Sequence, residues 1–158
     1  MRRPLEISKL RLRILTAADL PALTGLWAAS WREAMPGIDF EARREWLIGR
    51  LNALHDAGSV TICAVDGSDR ILGFVTIDPV TGYLDQLTVA QSSKGTGVAR
   101  ELMNEARRLS PSGIVLDVNA DNARAIAFYE REGFLNVGEG TNPNSGLKTL
   151  RMRWEGKL

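Results

Sequence analysis

The residues able to do chemistry in this chain gather at one strand-to-helix junction. The run Gln91-Ser92-Ser93-Lys94-Gly95-Thr96-Gly97 follows an apolar stretch and precedes a helical pattern. Glycines let a backbone approach a ligand closely and adopt positive φ. A helix start adds unpaired N–H groups and the positive end of the helix dipole. Together they form an anion site suited to a phosphate or pyrophosphate. Two nucleotide-binding patterns fit the spacing poorly. A P-loop places its lysine after the glycines, and Lys94 precedes them. The dinucleotide fingerprint asks for a third glycine where Arg100 stands.

To position that junction the chain must supply a strand, a turn and a helix within a larger sheet. Leu10, Leu12 and Ile14 alternate with Arg11 and Arg13 as a first strand. A helix follows with Leu20, Leu23, Trp27 and Trp31 on one face. Thr16 and Asp19 make a capping-box pattern, but Pro21 suits a first turn and favours Asp19 as the cap. Pro36-Gly37 breaks this helix, and a second starts near Asp39. Strands are expected over 60–65, 71–77 and 83–89, then a helix over 98–109. The apolar run 114–118 reads as a strand buried on both faces. A helix over 123–132 ends at Gly133, with Phe134 folding back on Tyr129 as in a Schellman motif. Strands over 134–139 and 147–154 close the chain. The order β-α-α-β-β-β-α-β-α-β-β is that of a mixed α/β protein.

A second run lies downstream of the glycines: Asn122-Ala123-Arg124-Ala125-Ile126-Ala127-Phe128-Tyr129-Glu130-Arg131-Glu132-Gly133-Phe134. With it, the chain resembles the GNAT superfamily of N-acetyltransferases over roughly its whole length. The glycine loop is similar to that family's motif Arg/Gln-x-x-Gly-x-Gly/Ala, with Gly95 and Gly97 on the glycines. Ser92 falls where the family has Arg or Gln, so that long side chain is lost from the loop. The downstream run is similar to Asn-x-x-Ala-x-x-Phe/Tyr-Tyr-x-x-x-Gly-Phe. The resemblance implies a single domain over 1–158. It also implies a twisted sheet of about seven mostly antiparallel strands, four flanking helices, and a fourth and fifth strand that splay apart.

It further implies acetyl-coenzyme A as cosubstrate and no metal. Leu87, Thr88 and Val89 would hold the pantetheine arm through the main chain. The pyrophosphate would rest on amides across Ser92, Ser93, Lys94, Gly95, Thr96, Gly97 and Val98, with Ala99 beside them. Asn122 would contact the coenzyme arm, cap its helix, or do both. Phe128 would pack beside the coenzyme or simply within the core. Tyr129 matches the family's frequent general acid, or is a buried tyrosine that satisfies a hydrogen bond. Asp85 alternates in step with Leu87 and Val89, so it would face their side of the strand, as a base, an amine-binding charge or one half of a salt bridge. Trp31 and Glu33 lie beside the loop between the first two helices, which often forms the acceptor wall in this family. The polar 141–146 run closes over the acceptor or is an ordinary hairpin tip.

Composition narrows the partners. The 158 residues carry 20 Lys+Arg against 19 Asp+Glu, a formal net charge of +1. That balance gives no electrostatic case for nucleic acid or an anionic membrane. One cysteine and one histidine leave no disulfide and no His/Cys zinc cluster. No apolar run approaches the ~20 residues of a membrane span, and no apolar h-region follows the first arginines. The expectation is a cytoplasmic enzyme, a homodimer by family resemblance, acetylating a primary amine of a small molecule or protein. A non-catalytic acyl-coenzyme A-binding or regulatory module on the same fold is the alternative, and a nucleotide-binding protein is a third.

Overall fold

A computed structural model of the chain describes residues 10–34 and 40–156, and the side chains of 31–41 lie outside that description. The elements are β1 (Arg11–Ile14), α1 (Leu20–Ala34), α2 (Phe40–Asp56), β2 (Val60–Val65), β3 (Ile71–Ile77), β4 (Leu84–Val89), α3 (Val98–Leu109), β5 (Ile114–Asn119), α4 (Ala123–Arg131), β6 (Leu135–Thr141) and β7 (Lys148–Trp154). This is the mixed α/β order that the sequence implies. The helix break at Pro36-Gly37 and the start near Asp39 lie outside the described residues.

The strands form two antiparallel sheets, β1-β2-β3-β4 and β5-β7-β6. In β2 alternate residues serve different cores. Ile62 and Ala64 join the cluster that contains α3, β5 and β7. Cys63 and Val65 join the α1 and α2 cluster with Leu23, Trp27, Leu47 and Phe74. Burial on both faces explains why this strand reads as an almost unbroken apolar run. It also makes Cys63 a packed hydrophobe, its thiol pushed up to about 12 by burial. Helix α3 turns Val98, Leu102, Met103 and Ala106 into the core, a spacing that follows the 3.6-residue period.

Two local expectations change. The first concerns the start of α1, where Thr16 opens a short 3₁₀ turn at Ala17–Asp19. Asp19 folds back, accepting from the Thr16 amide at 2.8 Å and from both Arg13 guanidinium nitrogens at 2.7 and 2.8 Å. Arg13 holds this carboxyl well below the usual carboxylate range. The side chain favoured as a helix cap is instead a link between β1 and the turn. The second concerns β5, which alternates. Ile114, Leu116 and Val118 are buried while Asp117 is exposed, because only one face of the three-stranded sheet meets the core.

The two sheets meet at the start of β4 and β5. Tyr83 and Val115 form a parallel bridge, and the Val115 amide donates to the Gly82 carbonyl at 2.9 Å. Beyond that point β4 pairs only with β3 and β5 only with β7, so the strands part. Gly82 has φ +76°, and a Cβ there would drive into the Gly113 carbonyl oxygen. Gly95 also has positive φ, +81°, but faces open space. Gly82→Ala should therefore cost about 2–3 kcal/mol, from wrong φ plus backbone collision, against about 1 kcal/mol for Gly95→Ala. Urea denaturation of the two variants beside wild type measures the difference.

Candidate active site

A cleft of about 460 Å³ lies between β4, the loop that follows it and helices α3 and α4. Its walls are Leu87, Thr88 and Val89 of β4, the loop residues Ser93, Lys94, Gly95 and Gly97, the start of α3 at Val98 and Ala99, and Asn122, Phe128 and Tyr129 from α4. Almost all the cofactor residues expected from sequence are thus neighbours in space. Ser92 and Thr96 belong to the loop but not to the cleft wall. Ser92 is exposed, and the Thr96 hydroxyl donates to the Ser93 carbonyl and tightens the turn.

The loop is built to present amides. Gly95 and Gly97 take φ +81° and +93°, and Gly97 caps α3 from the left-handed region. Residues with a Cβ adopt that region only at a cost, so glycine is needed at both places. Among the described residues, the N–H groups of Gly95, Gly97, Val98 and Ala99 have no main-chain acceptor outside the helix, and none exists inside its first turn. They point an uncompensated positive potential at the cleft. Lys94, Arg100, Arg124 and Arg131 add four cations to the lining, which holds no acid, although Arg100 is ion-paired with Glu132 outside it. A chain with a formal net charge of only +1 has concentrated positive charge here. The donor set fits the phosphates of coenzyme A.

Arg100, Arg124 and Arg131 were not among the residues expected from sequence. Arg124, Phe128 and Arg131 form one i, i+4, i+7 stripe, and that spacing was the available signal. Arg100 is visible only in three dimensions. Its guanidinium donates to Glu132 Oε2 at 3.1 and 3.2 Å, while Arg107 donates to Oε1 at 3.0 Å. Glu132 is 4 % exposed, and Arg107 lies over the Trp154 ring. This clamp fixes the start of α3 against the end of α4, the two walls of the cleft.

Tyr129 is held by the end of its helix. Phe134 N–H donates to the Tyr129 carbonyl at 2.9 Å and Gly133 N–H to that of Glu130 at 3.1 Å, with Gly133 at φ +92°. The two rings lie 5.6 Å apart, which completes the expected Schellman ending. The Tyr129 phenol lines the cleft, makes no hydrogen bond with the described residues, and is pushed up to about 12 by burial. Asn122 caps α4 by accepting from the Ala125 amide at 3.2 Å and lines the cleft as well. Phe128 also does both things: it packs against the core and borders the cleft.

A second cavity of about 270 Å³ is built from other residues of β4, together with α2, β5 and the β6–β7 hairpin. Thr76 pairs with Gln86 and Ile77 with Leu84, so Asp85 is an extra, bulged residue of β4. The bulge interrupts the strict alternation on which the sequence reading placed it. Asp85 lines this second cavity, whereas Leu87 and Val89 line the first. Its carboxylate accepts from Arg50 at 2.6 and 3.3 Å. Thr141, Asn142 and Asn144 complete the wall, and the Asn142 side chain orders the hairpin tip by accepting from the amides of Asn144 and Ser145. Trp31 and Glu33 lie on α1, with side chains outside the described residues. Among the described residues no cluster of His, Cys, Asp or Glu could hold a metal ion, and no helix is long and apolar enough to cross a membrane.

Comparison with known proteins gives a consistent result. The model of the acetyltransferase (GNAT) family matches residues 20–134. The peptidyl-lysine N-acetyltransferase YiaC of Escherichia coli is 28% identical over 138 residues, covering 87% of this chain and 91% of that protein. The peptidyl-lysine N-acetyltransferase YjaB of Salmonella typhimurium is 33% identical over 76 residues, 48% of this chain, and the match spans 50% of the relative's own length. Among solved structures, the spermidine N-acetyltransferase of Vibrio cholerae in complex with coenzyme A and spermine is 26% identical. It superposes with a TM-score of 0.66 over 93% of this chain and 95% of that one. Replacing Arg124 and Arg131 together by Gln should weaken coenzyme A binding about tenfold at low salt, each exposed charge contributing up to ~1 kcal/mol, with the gap closing at high salt. Calorimetric titration at two ionic strengths checks this.

Proposed function

The chain belongs to the acetyltransferase (GNAT) family and is an acetyl-coenzyme A-using N-acetyltransferase, and from that premise we propose that it acetylates the side-chain amine of a lysine in a protein or peptide. The single observation that carries the catalytic assignment is the Tyr129 phenol, buried and without a hydrogen-bond partner among the described residues, in the cleft that also holds the amide cradle. The peptidyl-lysine relatives support the acceptor class.

Acetyl-coenzyme A, when bound, supplies an acetyl group activated as a thioester. In this reading the amides of Gly95, Gly97, Val98 and Ala99 hold its pyrophosphate, with Ser93 and Lys94 beside them. Leu87, Thr88 and Val89 align its arm through the main chain, and the Val89 amide stabilises developing negative charge on the carbonyl oxygen. Asn122 and Phe128 fix the arm from α4. Tyr129 Oη gives its proton to the departing sulfur as the new carbon–nitrogen bond forms and the carbon–sulfur bond breaks. Burial favours this role, because it keeps the phenol protonated far above neutral pH.

The amine enters from the second cavity. Asp85 receives its proton through water, since Arg50 and Gln86 already occupy the carboxylate directly. By the family resemblance, Trp31 and Glu33 would belong to the acceptor wall. A cytoplasmic homodimer over one 1–158 domain belongs to the same proposal. Leu135 and Val137, exposed on β6 at the end of its sheet, support self-association, which light scattering would test.

Tyr129→Phe should lower kcat about 100-fold or more while leaving acetyl-coenzyme A affinity within about twofold. Thiol release with a lysine peptide, beside calorimetry, separates the two, and unchanged turnover removes Tyr129 from the mechanism. The alkaline fall in rate should not follow an ordinary phenol at roughly pH 10. It belongs nearer 12, the value to which Tyr129 is raised. A pH–rate profile locates it.

A further inference from the structure

Asp85 is the bulged residue of β4, and its side chain is only 7 % exposed. A carboxylate so far from water is strongly disfavoured unless a cation meets it. Arg50 meets it, with Nη2 at 2.6 Å from one oxygen and Nε at 3.3 Å from the other, while the Gln86 amide donates at 3.2 Å. Arg50 reaches across from α2, lines the same cavity and is itself 44 % exposed. Asp117, the other carboxylate of the cavity, is also matched. Its two oxygens accept from Arg151 at 3.0 Å each, and one accepts from the Tyr83 hydroxyl at 2.8 Å. Among the described residues the remaining walls carry amides, hydroxyls and an indole, and no charge. Every carboxylate of the cavity therefore already has its cation.

Building on the reading that this cavity admits the acceptor, we infer that Arg50 is a specificity-determining residue: by occupying Asp85 it makes the cavity select the single side-chain amine of a peptide lysine over a polyamine. A polyamine brings several ammonium groups, and each one taken out of water needs a carboxylate to replace its hydration. The cavity offers none that is unpaired. A lysine side chain brings one amine, which is neutral when it attacks, and its flanking peptide groups match the neutral Asn119, Asn142 and Asn144. Without the Arg50 guanidinium, Asp85 is a buried charge with no cation beside it, and a cationic ligand becomes its nearest compensation.

Arg50→Gln removes the charge and keeps a hydrogen-bonding side chain. Two readouts apply. One is kcat/KM for a lysine peptide and for spermidine, followed by thiol release. The other is the affinity for spermidine by calorimetry in the presence of coenzyme A. Wild type should favour the peptide. In the variant the ratio should shift about tenfold toward spermidine, and spermidine should bind about tenfold more tightly. Arg50→Lys, which retains the cation, should keep the wild-type preference, and adding Asp85→Asn to Arg50→Gln should abolish the gain. An unchanged spermidine affinity in Arg50→Gln overturns the inference, as does a wild-type preference for spermidine or an Arg50→Lys variant that behaves like Arg50→Gln. If no amine is acetylated by any form, the lysine-acceptor reading fails, while the spermidine titration still decides the role of Arg50.

Discussion

The Val115 amide donates to the Gly82 carbonyl at 2.9 Å, and at this point alone, among the described residues, β4 and β5 are laddered together. Two adjacent parallel strands would ordinarily satisfy one another along their whole length. Here they separate after one bridge, which leaves the main chain of Leu87 to Val89 on the wall of a cleft instead of inside a sheet. The joint is reinforced from the same end. The Tyr83 hydroxyl donates to Asp117 on β5, and Ser110 ties its hydroxyl to the Gly113 carbonyl in the turn beneath. Close approach of Gly82 to Gly113 permits the contact, since any side chain at Gly82 would push the two backbones apart.

Charge is sorted around that opening. The coenzyme side gathers four cations and the amides of a helix start, with no acid in its lining. The other cavity contains Asp85 and Asp117, each bound to an arginine fork. A formal net charge of +1 conceals both environments, because averaging over the chain removes the separation on which binding depends. The clamp of Glu132 with Arg100 and Arg107 shows the same economy. It neutralises a buried carboxylate and sets the distance between the helices that flank the cleft.

Strong periodic elements and the local endings of helices were legible in the sequence. The Schellman turn at Gly133 and Phe134 is an example, because its cause is confined to a few consecutive residues. Asp19 was harder. Its carboxylate had two local uses, and the choice between them came from Arg13 on β1. β5 looked buried on both faces because apolar content alone does not say how many layers cover a strand.

By itself the sequence determined the identity of the family, the anion-binding loop at Gly95 and Gly97, and the α4 segment with Asn122, Phe128 and Tyr129. These are short-range features: positive φ, helix capping and helical spacing are written in neighbouring residues. Only the tertiary structure decided which cavity Asp85 lines, that Arg100 faces the cleft, and that Arg50 and Asp85 form a pair. A bulge depends on the register between β3 and β4, and an ion pair between α2 and β4 joins residues 35 positions apart. Such facts follow from packing between distant segments, and no local pattern encodes them.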